Sequence, residues 1–303
     1  MTEAELRQAR LEKWRLTGQP IRTLEEARDF TESVGFCLMY PTRPMPLLPT
    51  FIGAWVGGKD RLPTWQLAFA DPRAQSATEL MVRLLRNKSA YEAKLFDENN
   101  NFLVAPSVFP FYYALVGERN PKQPPKPKPR SEYSPLACDA FEVIRNNGPI
   151  SKQKLQERLG GDVSMAGLDR ALVELWSKLR ITRVDYNPEQ GAFWDVLYRW
   201  APDAVGEGMG LSVGVALSAL VSKYLDCVIA ADQGEVETFL SNFVPRFRVR
   251  EAINALLAAR EVSFVHVGSH SLIQVTPAKG STAASSAQAS PDRRRMRIAT
   301  RPR

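Results

Sequence analysis

Arginine side chains recur at alternate positions, Arg246, Arg248 and Arg250, directly after a proline and at the start of an apolar periodic segment. A guanidinium donates paired hydrogen bonds in the geometry that a phosphate accepts, so three of them at a predicted helix start favour phosphate binding. A second polar set in the same half of the chain could contact phosphates and the edges of bases: Lys152, Lys154, Ser164, Arg170, Ser177, Asn187 and Gln190. Both sets predict noncovalent binding of a phosphate-bearing polymer.

Side chains suited to covalent chemistry are scarce. Residues 1–265 contain no histidine, which excludes a histidine-activated serine nucleophile over most of the chain. His266 and His270 lie four residues apart, but no cysteine or carboxylate cluster accompanies them, so exposed hairpin histidines are a better interpretation than metal ligands. Three cysteines, far apart and among apolar neighbours, predict reduced core thiols in a cytoplasmic protein.

Two glycine clusters do not match known nucleotide-binding patterns. Residues 57–59 lack the earlier glycine and the following serine or threonine of a phosphate-binding loop. Gly206, Gly208 and Gly210 have the wrong spacing for a dinucleotide site. We expect both clusters to form turns, and the sequence predicts neither a cofactor nor a metal ion.

Apolar periodicity predicts the elements that position the polar sets. The predicted order downstream of residue 134 is a helix at 135–146, a helix capped by Ser151, a helix at 164–179, and strands at 181–186 and 192–200. The third helix is expected to bury one stripe, formed by Met165, Leu168, Leu172, Leu175 and Leu179. Its opposite side then carries Ser164, Arg170 and Ser177. Three helices followed by a hairpin is the order of a winged helix.

The same order recurs closer to the C-terminus. The predicted elements are helices at residues 211–230, 234–242 and 249–260 and a hairpin of 262–267 with 271–275. Sequence identity between the two copies is low, so the repeat is architectural.

The segment before residue 118 has a mixed α/β pattern. Thr23 and Glu26 form a capping-box signature, residues 78–86 are periodic, and two short apolar runs on either side of residues 97–101 suggest a hairpin. We therefore expect an α+β, mainly helical protein with tandem winged-helix modules. A mixed α/β domain, which can also be interpreted as a degenerate winged helix, precedes them.

Composition sets the expected domain boundaries. Residues 120–129 hold five prolines and three lysines, as in an extended linker, and the sequence from residue 278 is small, polar and arginine-rich, as in a disordered tail. The predicted units are a helical extension (1–19), the α/β domain (20–118), a linker (119–133), two winged helices (134–203 and 210–277) and a basic tail (278–303). Residues 279–303 carry a net charge of +6 and residues 118–132 carry +3, so the rest of the chain has a net charge of about −2 within the total of +7. Net charge is therefore weak evidence about the folded part.

Double-stranded DNA is the predicted partner, because winged helices place their third helix in the major groove. A protein-binding adaptor is the alternative, since Asp169 and Glu174 lie on or near the supposed contact face. No membrane is expected: Lys223 and Asp226 interrupt the apolar run at residues 211–231. The sequence predicts no particular protein partner.

Four segments resemble the AlkZ/YcaQ-type winged-helix DNA glycosylases. They are VGFCLMYP (34–41), FLVAPSVFPFYYALVG (102–117), GPISKQKLQERLGG (148–161) and LDRALVELWSKLRI (168–181). The resemblance implies excision of alkylated or crosslinked bases by a Gln-x-Gln or Gln-x-Asp motif soon after the first helix, followed by a histidine. The corresponding residues here, 35–40, hold neither glutamine nor carboxylate, and the histidine is missing.

Two hypotheses remain open. In the first, the protein is a glycosylase whose water-activating residue comes from elsewhere, with Glu32 and Asp60 as candidates. An aromatic set would then receive a base: Phe51, Trp55, Trp65, Tyr112 and Tyr113. In the second, the scaffold binds without catalysis, as a transcription regulator or adaptor does, and the aromatic residues belong to the core.

Overall fold

One element order occurs three times along the chain: a helix, a short extended segment, two helices and a two-stranded ribbon. The computed structural model describes residues 1–43, 45–58, 62–68, 70–94, 101–126 and 133–277. Over these residues the protein is an α+β fold, mainly helical, with small antiparallel sheets, which confirms the predicted class. In each repeat the last strand lies between the other two extended segments.

The N-terminal domain is the first repeat, preceded by helix α1 (Glu3–Lys13). Its elements are α2 (Leu24–Val34), β1 (Phe36–Leu38), α3 (Phe51–Val56), α4 (Pro72–Arg86), β2 (Tyr91–Lys94), β3 (Asn101–Val104) and α5 (Phe109–Val116). The predicted capping box at Thr23 and Glu26 is present, and the expected hairpin is β2 with β3. The sequence did not predict β1 or α3, and α4 begins earlier than expected because Asp71 caps it.

The first module, residues 135–196, is the second repeat. It consists of α6 (Pro135–Asn147), β4 (Ile150–Ser151), α7 (Lys152–Arg158), α8 (Met165–Ser177), β5 (Ile181–Asn187) and β6 (Gly191–Val196). Ser134, Ser151 and Ser164 each cap the helix that follows. The second predicted strand is too long, because α9 (Leu197–Trp200) replaces its last four residues.

The predicted stripe of α8 needs one correction. Leu168, Leu172 and Leu175 are buried, but Met165 in the first turn is 43% exposed. Trp176, one residue after the stripe, is buried instead. Its ring lies against the N-terminal domain, a contact that the periodicity of a single helix does not reveal.

The second module, residues 213–275, is the third repeat. Its elements are α11 (Val213–Val228), α12 (Gln233–Leu240), α13 (Arg246–Ala258), β7 (Val262–Val267) and β8 (His270–Val275). A single bridge between Ala231 and Ile273 takes the place of the first strand. The order of helices and hairpin agrees with the prediction, although α13 starts three residues earlier than expected.

Helix α10 (Pro202–Gly210) corrects the interpretation of the second glycine cluster. Gly206, Gly208 and Gly210 are helical rather than turns, because α10 packs closely on α5: a Cβ at Gly208 would lie 2.7 Å from the Pro110 carbonyl oxygen. Gly57, in the first cluster, does end α3 in a left-handed conformation. No single helix of the described part is long and apolar enough to cross a membrane; α10 and α11 pass that test only together, with a bend of 114° between them.

The N-terminal domain and the second module share one hydrophobic core. Phe36 of β1 packs on Tyr224 and Phe239, with ring centroids 6.4 and 5.4 Å apart, and Phe102 of β3 packs on Phe243 at 6.2 Å. The first module has a core of its own around Phe141, Leu172 and Trp194, among others. The predicted domain boundaries remain predictions.

Helix α1 is held on the end of α11. Arg10 Nε donates to the Val228 carbonyl at 2.9 Å and another guanidinium nitrogen donates to Ala230, on either side of Ile229 with its φ of 70°. Trp14 Nε1 donates to the Cys227 carbonyl at 2.8 Å. These donors satisfy carbonyls that a helix end leaves without partners, so α1 belongs structurally to the second module.

A buried ion pair joins the first module to the N-terminal domain. Glu92 on β2 is fully covered, and its Oε1 accepts from Arg183 on β5 and from the Asn101 amide, both at 2.7 Å. The Arg183 guanidinium lies 5.2 Å from the ring centres of both Trp176 and Trp194. Burial raises the pKa of Glu92, and Arg183 partly offsets that effect.

Replacing Glu92 should reveal how much this junction contributes to stability. Glu92→Ala leaves a covered guanidinium without its carboxylate, and we expect it to lower the free energy of unfolding by about 3–5 kcal/mol. Arg86→Ala is the matched control, because Arg86 forms an exposed pair with Asp185 at the same junction; it should cost at most about 1 kcal/mol. Urea unfolding of both variants measures the difference, and equal small losses would contradict the assigned role.

Candidate functional site

Several predicted contact residues of the first module already have partners within the protein. Ser164 Oγ accepts from the Gly167 amide at 3.1 Å, so it caps α8. Lys152 forms an ion pair of 2.5 Å with Asp169, which ties α7 to α8. Ser177 Oγ donates to the Glu174 carbonyl. These three side chains stabilise the module. Because they already have partners within the protein, they are less available to form hydrogen bonds or ion pairs with a ligand.

The wing tip of the first module is also internally bonded. Asn187 Oδ1 accepts from the Glu189 and Gln190 amides at 2.8 and 3.3 Å, as in a turn that an asparagine side chain stabilises. Asn187 therefore shapes the turn, and the Gln190 side chain is half-buried beside it.

Two predicted cations of the first module remain exposed. Lys154 on α7 and Arg170 on α8 have no carboxylate within 4 Å among the described residues, and neither does the neighbouring Arg158. The N-terminal domain covers α8 only near Trp176, whose Nε1 donates to the Glu92 carbonyl. The outer side of the first turns of α8 is thus accessible, as the prediction required.

The arginine set of the second module is anchored by one carboxylate. Glu237 on α12, nearly covered, accepts from Arg246 Nε at 2.6 Å and from Arg250 Nε at 3.0 Å. Arg250 also donates to Glu237 Oε2 through a terminal guanidinium nitrogen at 3.1 Å, so it is held at two points, whereas Arg246 is held through Nε alone. Both arginine side chains are more than half exposed, and Glu237 orients them. The hydrogen bond from Arg250 is the main reason that the pKa of Glu237 is lowered to about 2.

Phe247 extends the same turn of α13 with an apolar side chain. It is 57% exposed, and the Arg248 guanidinium lies 5.4 Å from its ring centre. Phe247 was not identified from the sequence. An aromatic residue on the polar face of a predicted amphipathic helix could have indicated it. The four residues at positions 246, 247, 248 and 250 are called the α13 head below.

Of the two catalytic candidates, the structure describes only Glu32. Glu32 Oε2 accepts from Ser107 Oγ at 2.5 Å, and its backbone carbonyl accepts from Lys223. Asp60 lies outside the described residues. Residues 35–40, where the glycosylase motif was expected, are all buried, and the hydroxyl of Tyr40 bonds to Thr78. This stretch is core, with no group aimed at a ligand.

The aromatic residues suggested as a base pocket are divided between core and surface. Phe51, Tyr112 and Tyr113 are buried, so a role in receiving a base is wrong for them. Trp55 and Trp65 are half-buried, and Arg22 lies 5.0 Å from the Trp55 ring centre.

The two histidines are separated by the pairing of the hairpin. His266 pairs with Ser271, whereas His270 pairs with Val267, so their side chains leave opposite faces of the ribbon. Within the described ranges no three of His, Cys, Asp and Glu come close enough to hold a metal ion.

A cavity of about 970 Å³ lies between α1, the loop at residues 41–50 and the hairpin of the second module. Its lining combines apolar side chains such as Trp14 and Leu47 with charged groups from α1, the loop and the start of α12. The sequence could not indicate it, because its walls come from segments more than 180 residues apart, as the contacts of Leu6 with Val267 illustrate.

The chain is similar in fold to a solved structure of a DNA glycosylase. That structure is the Streptomyces sahachiroi DNA glycosylase AlkZ, with a TM-score of 0.54 and 13% sequence identity over 91% of this chain and 70% of that one. At this identity the likeness concerns the fold, and it supports the expectation of a distant AlkZ-like architecture. No family model matches the chain. No curated protein matches it in sequence.

Acid titration should expose the bond between Glu237 and its arginines. The folded-state pKa of about 2 is below the ordinary glutamate value of about 4.3. The bond therefore stabilises the folded state fully above about pH 4.3, and this stabilisation is lost as the pH falls from about 4.3 to about 2. Urea midpoints of the wild type should therefore exceed those of Glu237→Gln near pH 6 and approach them near pH 2. A difference that stays constant over this range would contradict the assignment.

Proposed function

We propose that this chain binds double-stranded DNA, with the α13 head entering a groove and the exposed cations of the first module contacting phosphates. The proposal rests chiefly on the α13 head. Glu237 orients two guanidiniums, Arg248 adds a third, and Phe247 supplies an exposed apolar surface, all in the first turn and a half of the third helix of its module.

The chemistry of the α13 head suits nucleic acid. Guanidiniums donate to phosphate oxygens and to guanine edges, and the amide ends of the first helical turn add to the attraction for anions. Because Glu237 already fixes Arg246 and Arg250, less side-chain entropy is lost when they bind. The exposed ring of Phe247 can contact a thymine methyl group or an unstacked base step.

The first module would add a second, electrostatic contact. Lys154 and Arg170 are exposed and free of carboxylate partners in the described ranges, so they can reach a phosphate backbone without breaking an internal bond. Lys152 would have to share its charge with Asp169. The proposed partner surface thus keeps Lys154, Arg170 and Arg248 as contacts without a carboxylate partner among the described residues. Arg246 and Arg250 contribute through the guanidinium nitrogens that do not bond to Glu237.

Single substitutions should separate charge from apolar contact. Arg248→Ala should weaken duplex binding about ten-fold and lower the slope of log K against log salt by about 1, since one phosphate contact is lost. Phe247→Ala should weaken binding while leaving the salt slope unchanged. Fluorescence anisotropy with a labelled duplex measures both quantities.

Arg28→Ala is the control for this experiment, because Arg28 is an exposed arginine on α2, outside the proposed surface. It should bind duplex as the wild type does. If the combined variant Arg170→Ala with Arg248→Ala binds duplex with unchanged affinity and salt slope, the proposed surface is wrong.

Base excision is the second candidate, favoured by the fold shared with a DNA glycosylase. Binding without excision is the function we infer, because the buried stretch at residues 36–40 offers no group to activate water. Incubation with alkylated duplex, followed by strand cleavage at abasic sites, should show no product. Product formation that disappears in Glu32→Gln or Asp60→Asn would establish the enzyme instead.

A further inference from the structure

The cavity beside α1 has the size and lining of a small-molecule site. Its volume of about 970 Å³ falls at the upper end of the range of ligand pockets, roughly 300–1,000 Å³. The apolar part of its wall includes Leu11 and Trp14 on α1, Leu47 and Leu48 in the loop, Leu62, and Leu272 on β8. None of the residues of the α13 head lines it, so it is separate from the proposed DNA surface.

Contacts with the rest of the protein hold the walls of the cavity in place. Arg10 and Trp14 fix α1 to the end of α11, and Lys13 forms an ion pair of 2.7 Å with Asp226. On the opposite side, Val267 and Leu6 belong to one small buried cluster. A preformed cavity of this kind binds a ligand without first paying to order its walls.

Most of the charged groups around the cavity already have hydrogen-bond partners within the protein. Asp232 accepts from the Gly234 amide at 2.7 Å, and Glu235 accepts from the Asp232 amide at 2.9 Å, as the capping box of α12. Arg10 is bonded to two carbonyls and lies within electrostatic reach of Glu235. The hydrogen bonds of the capping box fix the positions of the Asp232 and Glu235 side chains, whose carboxylates keep their negative charge.

Arg7 and Arg43 are the exception. Both line the cavity and are exposed, one on α1 and one on the loop, and neither has a carboxylate within 4 Å in the described part of the chain. Glu3, also in the lining, lies against the hairpin turn at Gly268. Among the described residues, the cavity thus presents two guanidiniums without ion-pair partners, beside an apolar wall that includes an indole ring.

We propose that this cavity binds a small organic anion with an apolar, ring-containing body, whose carboxylate, sulfonate or phosphate group is held by Arg7 and Arg43. The apolar body lies against Trp14 and the leucines. At a partly exposed site, two guanidiniums should bind an anion with about ten-fold or more higher affinity than its uncharged analogue.

Two fluorescent probes with the same aromatic body test the proposal. 8-Anilinonaphthalene-1-sulfonate carries an anionic group, and N-phenyl-1-naphthylamine lacks it. The full-length wild type should bind the sulfonate about ten-fold more tightly than the neutral probe. The double variant Arg7→Gln with Arg43→Gln should raise the Kd of the sulfonate about ten-fold and change that of the neutral probe less than about two-fold.

Two further variants localise the binding. Met45→Trp adds volume at an exposed lining residue, and Leu47→Trp adds it deeper in the wall; each should weaken both probes. Arg28→Gln removes an arginine elsewhere on the surface and should change neither Kd. Met45→Trp keeps the test decisive if Leu47→Trp loses cooperative unfolding.

Three results would overturn the proposal. They are the failure of the wild type to bind the sulfonate, an unchanged sulfonate Kd in the double arginine variant, and unchanged binding of both probes in Met45→Trp. Because none of these residues belongs to the α13 head, duplex affinity measured in the same variants distinguishes failure of this site from failure of the proposed DNA surface.

Discussion

Burial of the Glu92 carboxylate constrains how the first module sits on the rest of the protein. A carboxylate taken out of water needs a cation close by, and the cation comes from β5 of another repeat. Arg183 in turn contacts the faces of Trp176 and Trp194, which belong to the core of the first module. The ion pair between Glu92 and Arg183 thus connects a sheet of the N-terminal domain to the separate core of the first module. If the first module were displaced, both charges would lose their partner.

Local patterns predicted most of the helices, because a helix is specified by residues that are near one another in sequence. The capping serines and the leucine stripe of α8 are examples. The failures have tertiary causes. In the sequence alone, glycines at positions 206, 208 and 210 suggest a turn. In the structure they lie in helix α10, and the lack of a side chain at Gly208 lets this helix approach α5 closely. The short strand β1 is uniformly buried, so it shows no alternation that could reveal it.

The candidate site was predictable only as a set of residue types. Arg246, Arg248 and Arg250 could be named from their charge and spacing, but their anchor, Glu237, lies on the preceding helix and carries no sequence signal. Ser164 and Asn187 are polar residues at positions where a winged helix could contact DNA. At helix starts and tight turns, however, such side chains commonly accept hydrogen bonds from nearby backbone amides, as both do here. Polarity alone does not distinguish a side chain that serves its own backbone from one that faces a ligand.

The attachment of α1 to the end of α11 has a consequence for synthesis on the ribosome. The first helix of the chain is made more than 200 residues before the carbonyls of Val228 and Ala230 that Arg10 binds. Leu6 and Trp14 therefore emerge with no docking surface, and their apolar side chains stay in water until the last repeat has left the exit tunnel. The docking of α1 therefore completes the packing of these repeats only after the last of them has been synthesised.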